Sequence, residues 1–456
     1  MVFKRCTGLF NKISLRIIGE LRMKKIKVLQ MPLRNNRGGI AKYILDNWRF
    51  IDKSQFTFDF ITFADKIDYE DELLAEGCKI HYISNLPGKD EKKFYEEVHT
   101  ILNEGYDVMH LHTSRWTGLQ LEEIAMARGV PNVIVHSHNT HIGEREDWAD
   151  RYNAFTQRHE QLKTTFTNNW HDYATNLCAC SHLAARWLYG DALADSTVHV
   201  LKNAIDTQNF KYNEKRREQY RQSMELNGKF VLGHVGRFDP QKNHDFLIRM
   251  FHEVTKQIPN AHLLLTGQGG LFDRMKVLAD ELGIANKIQF LGIRDDVEAL
   301  MQAMDVFVLP SLYEGFPITL VEAQAMGLKC LVSDKITTEA KIVPNTQFLP
   351  LDAEVWCAEL TKIQAQGYTR KDTSHLVKDA GYDIRESVKM VEKLYRGEFK
   401  VDKQDEKIVL FGAGVRGRRM FEELVNNKIT PAYFVDNKIN EDKVSISVTG
   451  GGAIFF

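Results

Sequence analysis

Strand-like apolar runs alternate with helical patterns along most of this chain, and the alternation occurs twice. Ile26 to Gln30, Thr57 to Thr62, Lys79 to Ile83, Val108 to His112 and Val133 to His136 make the first series. Phe230 to Val235, His262 to Thr266, Ile288 to Leu291, Val306 to Leu309 and Cys330 to Ser333 make the second. A parallel strand is covered on both faces and so reads apolar throughout, and each crossover to the next parallel strand needs a helix. The expected fold class is therefore α/β, with two doubly wound parallel-sheet units. Ligands of such units bind beyond the carboxyl ends of the strands, so two facing units would enclose a cleft. The junction is expected in the turn-rich stretch VLKNAIDTQNF, residues 200–210, before the charged run EKRREQYRQ.

Composition narrows the function classes. With 43% apolar and 27% charged residues over 456 positions, the chain is an ordinary globular protein large enough for two or three domains. Sixty basic residues balance sixty-one acidic ones, so bulk charge does not suggest nucleic acid. The six cysteines are scattered; Cys178 and Cys180 are separated by one residue, too few for a zinc knuckle, and the expectation is reduced thiols in the cytoplasm. No apolar run approaches the roughly 18 residues that cross a bilayer, so membrane contact would be peripheral. Residues 1–22 are basic and apolar-striped. They read either as an amphipathic segment on an anionic lipid surface, or as sequence ahead of a true start at Met23, where the first strand opens; the second reading is preferred.

The chemistry-bearing motifs fall at strand ends. In PSLYEGFPITLVEAQAMG, seven residues separate Glu314, in the loop after the strand, from Glu322, one turn inside a helix that Pro317 can start and Gly327 can stop. The free N–H groups of its first turn suit a diphosphate, and Glu322, about 5 Å further down the axis, could accept both hydroxyls of a ribose. Taken alone, the pair reads more readily as a solvated loop glutamate and a capping or surface glutamate, and the rest of the chain must shift that reading. In GRFDPQKNHDFL, Gly236, Arg237 and Lys242 share one strand-to-helix loop, where two cations suit a leaving diphosphate and a structural salt bridge is the plainer alternative. Gly38 and Gly39 follow the first strand, where backbone could approach a phosphate or a tight turn could explain them. His136, His138 and His141 end another strand as a polar cleft lining. No third ligand with convincing spacing stands beside them, so no metal is expected. His110 and His112, in HLHTS, divide evenly between satisfied core and acceptor contact.

Together the GGI turn, HSHN, VLKNAID, GHVGRFDPQKNHDFLI, LLLTGQG, FLGIRDDV and PSLYEGFPITLVEAQAMG resemble, in order, the retaining family 4 glycosyltransferases of GT-B architecture, over roughly residues 23–397. The likeness is to bacterial enzymes of capsule and exopolysaccharide biosynthesis. It implies two facing Rossmann-like domains, 23–200 on the acceptor side and 201–383 for the nucleotide-sugar, with a return helix over 384–399. It implies Arg237 and Lys242 on the donor phosphates, Glu322 on the ribose, and Glu314 with Gly315, Phe316, Pro317 and Ile318 on the transferred sugar. His138 would face that sugar across the cleft. Gly39, Gly236, Gly267 and Gly269 would let backbone approach the donor, and Gly292 with Ile293 would border the base. Glu314 could in principle be a nucleophile, but a binding role is favoured. Asn203-Ala204 replaces the family's usual Asn-Gly at the junction, which would stiffen the hinge. No two aspartates are separated by a single residue, so the Asp-x-Asp metal clamp of other glycosyltransferases is missing. No cofactor is expected, and protein cations would do the metal's work. The expected partners are a UDP-sugar donor and a glycan or lipid-linked acceptor, met in the cytoplasm at the inner face of the membrane.

The tail begins again. Residues 406–456 contain strand, G-x-G-x-x-G (Gly412, Gly414, Gly417), helix, and a strand ending in Asp436, the opening of a dinucleotide-binding unit that stops short of a sheet. It is read as an incomplete Rossmann-like appendage. It also carries the rival function, an NAD-dependent oxidoreductase acting on a sugar or nucleotide-sugar.

Overall fold

The structure is a computed structural model, and it describes residues 24–35, 38–85, 89–142, 149–399, 409–411 and 433–435. The contacts divide the chain into two units, 1–399 and 400–456. The 1–22 extension and the glycines of the tail motif lie outside the described residues.

The first unit holds two parallel sheets. In the first, β1 (Ile26–Met31), β2 (Phe56–Thr62), β3 (Lys79–Tyr82), β4 (Val108–Thr113), β5 (Asn132–Ser137), β6 (Asn176–Ala179) and β7 (His199–Val200) take the order β3-β2-β1-β4-β5-β6-β7. In the second, β8 (Phe230–Val235), β9 (Ala261–Thr266), β10 (Ile288–Phe290), β11 (Val306–Leu309), β12 (Lys329–Ser333) and β13 (Thr346–Leu349) take the order β10-β9-β8-β11-β12-β13. The all-apolar run is what this topology demands: every residue of β8, β9 and β11 is buried. In both sheets the direction of winding reverses at one place, between β1 and β4 and between β8 and β11. That is the switch point where the loops part and leave a crevice.

Three strands were missed by the sequence reading. β6 and β13 have four residues each and β7 two. Each is too short for an apolar run to stand out, and β6 merges into the helical pattern that Ser181 then caps by accepting from the Ala184 N–H.

The junction and the return of the chain lie side by side. Ile205 donates to the Tyr382 carbonyl at 3.0 Å and accepts from Ile384 at 2.8 Å. Asp383 caps the return helix Ile384–Tyr395 by accepting from the Arg385 N–H. The apolar face of this helix (Val388, Val391, Leu394, Tyr395) joins Val28, Ile44, Leu45 and Trp48 in the core behind the first sheet. In the second unit, β14 (Val409–Phe411) pairs in parallel with β15 (Tyr433–Val435).

Candidate active site between the two sheets

The loops after β1, β4, β8 and β11, the four switch-point strands, carry most of the site. After β11 the chain crosses 310–317 and enters the helix Ile318–Ala325, with Pro317 as its N-cap and Gly327, at φ +68°, just past its end. Among the described residues, the N–H groups of Gly315, Phe316, Ile318 and Thr319 have no backbone acceptor. The helix tip therefore presents several open donors together with the positive end of its dipole.

Glu314 is only 6% exposed. Its Oε1 accepts from Lys242 Nζ at 2.5 Å and its Oε2 from Gln241 Nε2 at 3.1 Å. Both partners sit on the loop after β8, in a turn where Asp239 accepts from the Lys242 N–H. A Cβ at Gly236 would lie 3.2 Å from Lys242 Cδ and Cε, so this glycine leaves room for the lysine stem. Arg237 is held differently, by Asp239 at 2.9 Å, with its side chain 45% exposed. The two cations expected to act together are thus separated: Lys242 turns inward to Glu314, and Arg237 stays at the mouth.

Glu322 is 3% exposed and projects out of its own half toward the first sheet. There Lys42, on the helix Gly39–Phe50, reaches it at 3.4 Å while holding Asp46 at 2.9 Å. Burial pushes the Glu322 carboxyl up to about 7, a shift that Lys42 opposes. Burial works against the Lys42 charge in turn, but Glu322 and Asp46 outweigh it and keep the ammonium protonated. Lys42 was not singled out from the sequence, and neither were two guanidinium groups at the mouth. Burial and the field of Arg237 lower the pKa of Arg34, in the loop after β1; burial and the field of Arg34 lower that of Arg115, in the loop after β4. Cations that depress one another in this way would be relieved by an incoming anion.

The carbonyls of the 314–316 loop face the first sheet. Thr140 Oγ1 donates to Glu314 O at 3.1 Å, Ser181 Oγ to Gly315 O at 2.7 Å, and Asn203 Nδ2 to Phe316 O at 3.0 Å. His138 lies across this seam at the end of β5, with Nε2 2.8 Å from His112 Nδ1, and burial lowers its pKa to about 3. The expectation that no third imidazole stands near the β5 histidines is corrected: ligand atoms of His110, His112 and His136 lie within 4.8 Å of one another. Sequence spacing hid this because only His136 lies on β5, and the other two rings come from the neighbouring strand, β4. His110 and His112 are both buried and hydrogen-bonded.

The glycines differ in what they do. A Cβ at Gly267 would meet the Gly236 carbonyl oxygen at 2.0 Å, and one at Gly269 the Phe238 carbonyl oxygen at 2.4 Å. Both therefore make room for the loop after β8, a packing reason that the sequence reading did not give. Gly39 faces open space at the start of its helix, as does Gly292, which needs its φ of +66° and accepts from the Gly267 N–H at 2.8 Å. Ile293 is 54% exposed.

With this geometry in hand, the chain was compared with known proteins. Residues 215–359 match the profile of the family described as glycosyl transferases group 1. The putative glycosyltransferase EpsF of Bacillus subtilis is 31% identical over 378 residues, 81% of this chain and 96% of that protein. An Escherichia coli UDP-Gal:α-D-GlcNAc-diphosphoundecaprenol α-1,3-galactosyltransferase is 26% identical over 322 residues, 68% of this chain and 80% of its own. Among solved structures, Anabaena HepE in complex with UDP superposes with a TM-score of 0.64 at 17% identity, over 82% of this chain and all of that one, a likeness of fold. None of this favours the oxidoreductase reading, which is withdrawn. The fold is GT-B, two parallel α/β sheets with a cleft at their switch points, and the chain belongs to the group 1 glycosyltransferases.

Proposed function

We propose that this protein is a retaining, metal-independent glycosyltransferase of family 4 that moves a sugar from a UDP-sugar to a glycan or lipid-linked acceptor in polysaccharide biosynthesis. The observation that carries the reading is the arrangement around the helix Ile318–Ala325. Open N–H donors stand at its tip, a buried carboxylate, Glu314, precedes it, and a second, Glu322, lies one turn inside. A diphosphate at the tip places the ribose at Glu322 and the sugar at Glu314, the order in which a nucleotide-sugar presents its parts. Arg237 and Arg34 neutralise the phosphates from the mouth, and Lys242 reaches them when the sugar takes over Glu314.

Retention follows if the acceptor hydroxyl attacks on the face the diphosphate leaves, with a phosphate oxygen taking the proton. The bond to the acceptor then forms as the bond to the diphosphate breaks. Glu314 binds the sugar rather than attacking it, since it is already committed to Lys242 and Gln241. Metal independence is supported by the missing Asp-x-Asp clamp and by the number of protein cations converging on the site. The E. coli relative is named for an acceptor on diphosphoundecaprenol, and a similar lipid-linked acceptor here would place the enzyme at the cytoplasmic face of a membrane. Among the described residues no helix is long and apolar enough to cross one.

Purified protein incubated with a panel of nucleotide-sugars, with and without a chelator, tests the reading. Sugar release or transfer from one of them, undiminished by the chelator and giving a product with the donor's anomeric configuration, is expected. A requirement for added metal, or an inverted product, would overturn it.

A further inference from the structure

Behind His138, four imidazoles, an amide and a phenol form one hydrogen-bonded chain. His138 Nε2 lies 2.8 Å from His112 Nδ1, and His112 Nε2 lies 2.7 Å from Gln30 Oε1. Gln30 Nε2 donates to the Tyr395 hydroxyl at 2.6 Å, and that hydroxyl lies 2.9 Å from His110 Nδ1. His110 Nε2 in turn lies 3.2 Å from His136 Nδ1. Gln30, His110, His112, His136 and Tyr395 are all buried, while His138 at the end of the chain is half-buried. Burial holds all four imidazoles neutral, so each ring carries one N–H and one lone pair.

The proton positions then follow one from another. An amide oxygen can only accept, so His112 Nε2 carries the hydrogen and its Nδ1 the lone pair. His138 Nε2 must donate to that lone pair, which leaves the lone pair of His138 at Nδ1. Toward the other end, the Tyr395 oxygen accepts the amide N–H and its hydroxyl group meets His110 Nδ1, while His110 Nε2 meets His136 Nδ1. From His138 to the Gln30 oxygen both links point the same way. The sense reverses only if the Gln30 amide turns over, because Gln30 is the one member whose two ends are chemically different and fixed. Tyr395, which holds that amide in place, arrives on the return helix, while the Gln30 oxygen facing His112 gives the sense of the chain.

We propose that Gln30, anchored by Tyr395, is a positioning residue that holds His138 as its Nε2–H tautomer, so that Nδ1 accepts a hydrogen bond from a hydroxyl of the transferred sugar. The sugar contact rests on the glycosyltransferase reading; the tautomer does not. It also gives the imidazole cluster a use that competes with metal binding, since a metal on His110, His112 and His136 would need lone pairs that the chain has committed.

Long-range proton–nitrogen spectra of histidine-labelled protein, recorded without substrate and assigned with His138→Gln, read the tautomer directly. A protonated Nε2 and a bare Nδ1 on His138 are expected in the wild type. Gln30→Met is expected to give mixed tautomers and to lower kcat/KM for the donor about tenfold, since a part of the protein then lacks the acceptor that His138 offers the sugar. Tyr395→Phe should give a weaker version of the same change. The opposite tautomer in the wild type overturns the proposal, as does a stoichiometric metal on these rings, or a Gln30→Met protein whose tautomer is unchanged. If Gln30→Met does not fold, the wild-type spectrum decides alone. Absence of transfer from any nucleotide-sugar by the wild type would instead overturn the underlying activity and the sugar contact, and leave the tautomer standing.

Discussion

Replacing Gly315 with alanine tests whether the loop that carries Glu314 must touch the first sheet for turnover. The added Cβ would lie 2.0 Å from the His138 carbonyl oxygen, 2.6 Å from its carbon and 3.0 Å from the Asn139 nitrogen. A carbon sits comfortably about 3.3 Å from such an oxygen, so the two backbones must part by more than about 1 Å. Neither is a flexible side chain that could turn aside. Gly315 is not among the residues at positive φ, so alanine adds no backbone strain and the clash acts alone. A separation of that size breaks the 2.7 Å bond from Ser181 Oγ to Gly315 O and stretches those from Thr140 and Asn203. At about 1 kcal/mol each, the three bonds together are too little to unfold a protein with two full cores. The catalytic cost is larger, because a displacement of about 1 Å in a reacting group costs on the order of a hundredfold in rate. Nucleotide release from the preferred donor, measured beside thermal denaturation, should show kcat lowered about a hundredfold and a melting temperature lowered by only a few degrees. Wild-type kcat from a folded Gly315→Ala protein would refute the reasoning.

Glu322→Gln should raise the donor KM by about 10- to 100-fold and lower kcat less, because a hydrogen bond to a charged group contributes roughly 1.5–3 kcal/mol; an unchanged KM removes the ribose from this residue. Lys242→Met leaves Glu314 buried without its cation and should destabilise by about 3 kcal/mol in chemical denaturation, with much of the loss recovered in the Lys242→Met, Glu314→Gln double variant; additive losses would show that the 2.5 Å pair is energetically idle. Stability should also fall as pH drops below about 6.5. Burial lowers the pKa of His138 to about 3 and of His234 to about 4, with His110, His112 and His136 also held well below the ordinary value, so the unfolded chain binds more protons over that window. Each such group contributes at most about 1.4 kcal/mol per pH unit. Glu322 and Glu122, both raised to about 7 by burial, work in the opposite sense between about pH 7 and 4.5, but two carboxyls cannot offset five imidazoles. Equal denaturation midpoints at pH 7.5 and pH 5 would contradict this accounting.

The fold was legible wherever a strand is covered on both faces. Phe230–Val235 and Val306–Leu309 match the sequence reading end to end, because a wholly apolar run bounded by turn residues admits few other readings. It failed at β6, β7 and β13, where pairing with an existing edge rather than local composition makes the strand. The site divides in the same way. Residues within one loop-to-helix segment, such as Glu314, Pro317 and Glu322, could be placed relative to one another because helix geometry fixes their spacing. Lys42, Arg34 and Arg115 could not, because their relation to the glutamates and to Arg237 passes through space between two sheets. Arg237 and Lys242 show the limit inside a single loop. Five residues apart, they were expected to act as a pair, but the turn that Asp239 caps sends one inward and leaves the other at the mouth.

Both glutamates are held by lysines, and the two pairs are not equivalent. Lys42 sits nearer to Asp46, at 2.9 Å, than to Glu322, at 3.4 Å, and its side chain is 35% exposed. It can therefore give up Glu322 and keep a counter-ion. A ribose that offers two hydroxyls to Glu322 replaces one partner of a buried carboxylate with two, so binding there asks little of the rest of the site. Among the described residues, Lys242 has no second acid within ion-pair distance, and Glu314 would keep only Gln241 once the lysine turned to a phosphate. Moving Lys242 is favourable only when a phosphate waits for the ammonium and a sugar hydroxyl waits for the carboxylate, and one intact nucleotide-sugar supplies both. A nucleoside diphosphate without its sugar would draw Lys242 away and leave Glu314 buried with too few partners. That difference explains why Glu322→Gln is expected to show mainly in KM, and why the Lys242 and Glu314 substitutions are expected to be coupled.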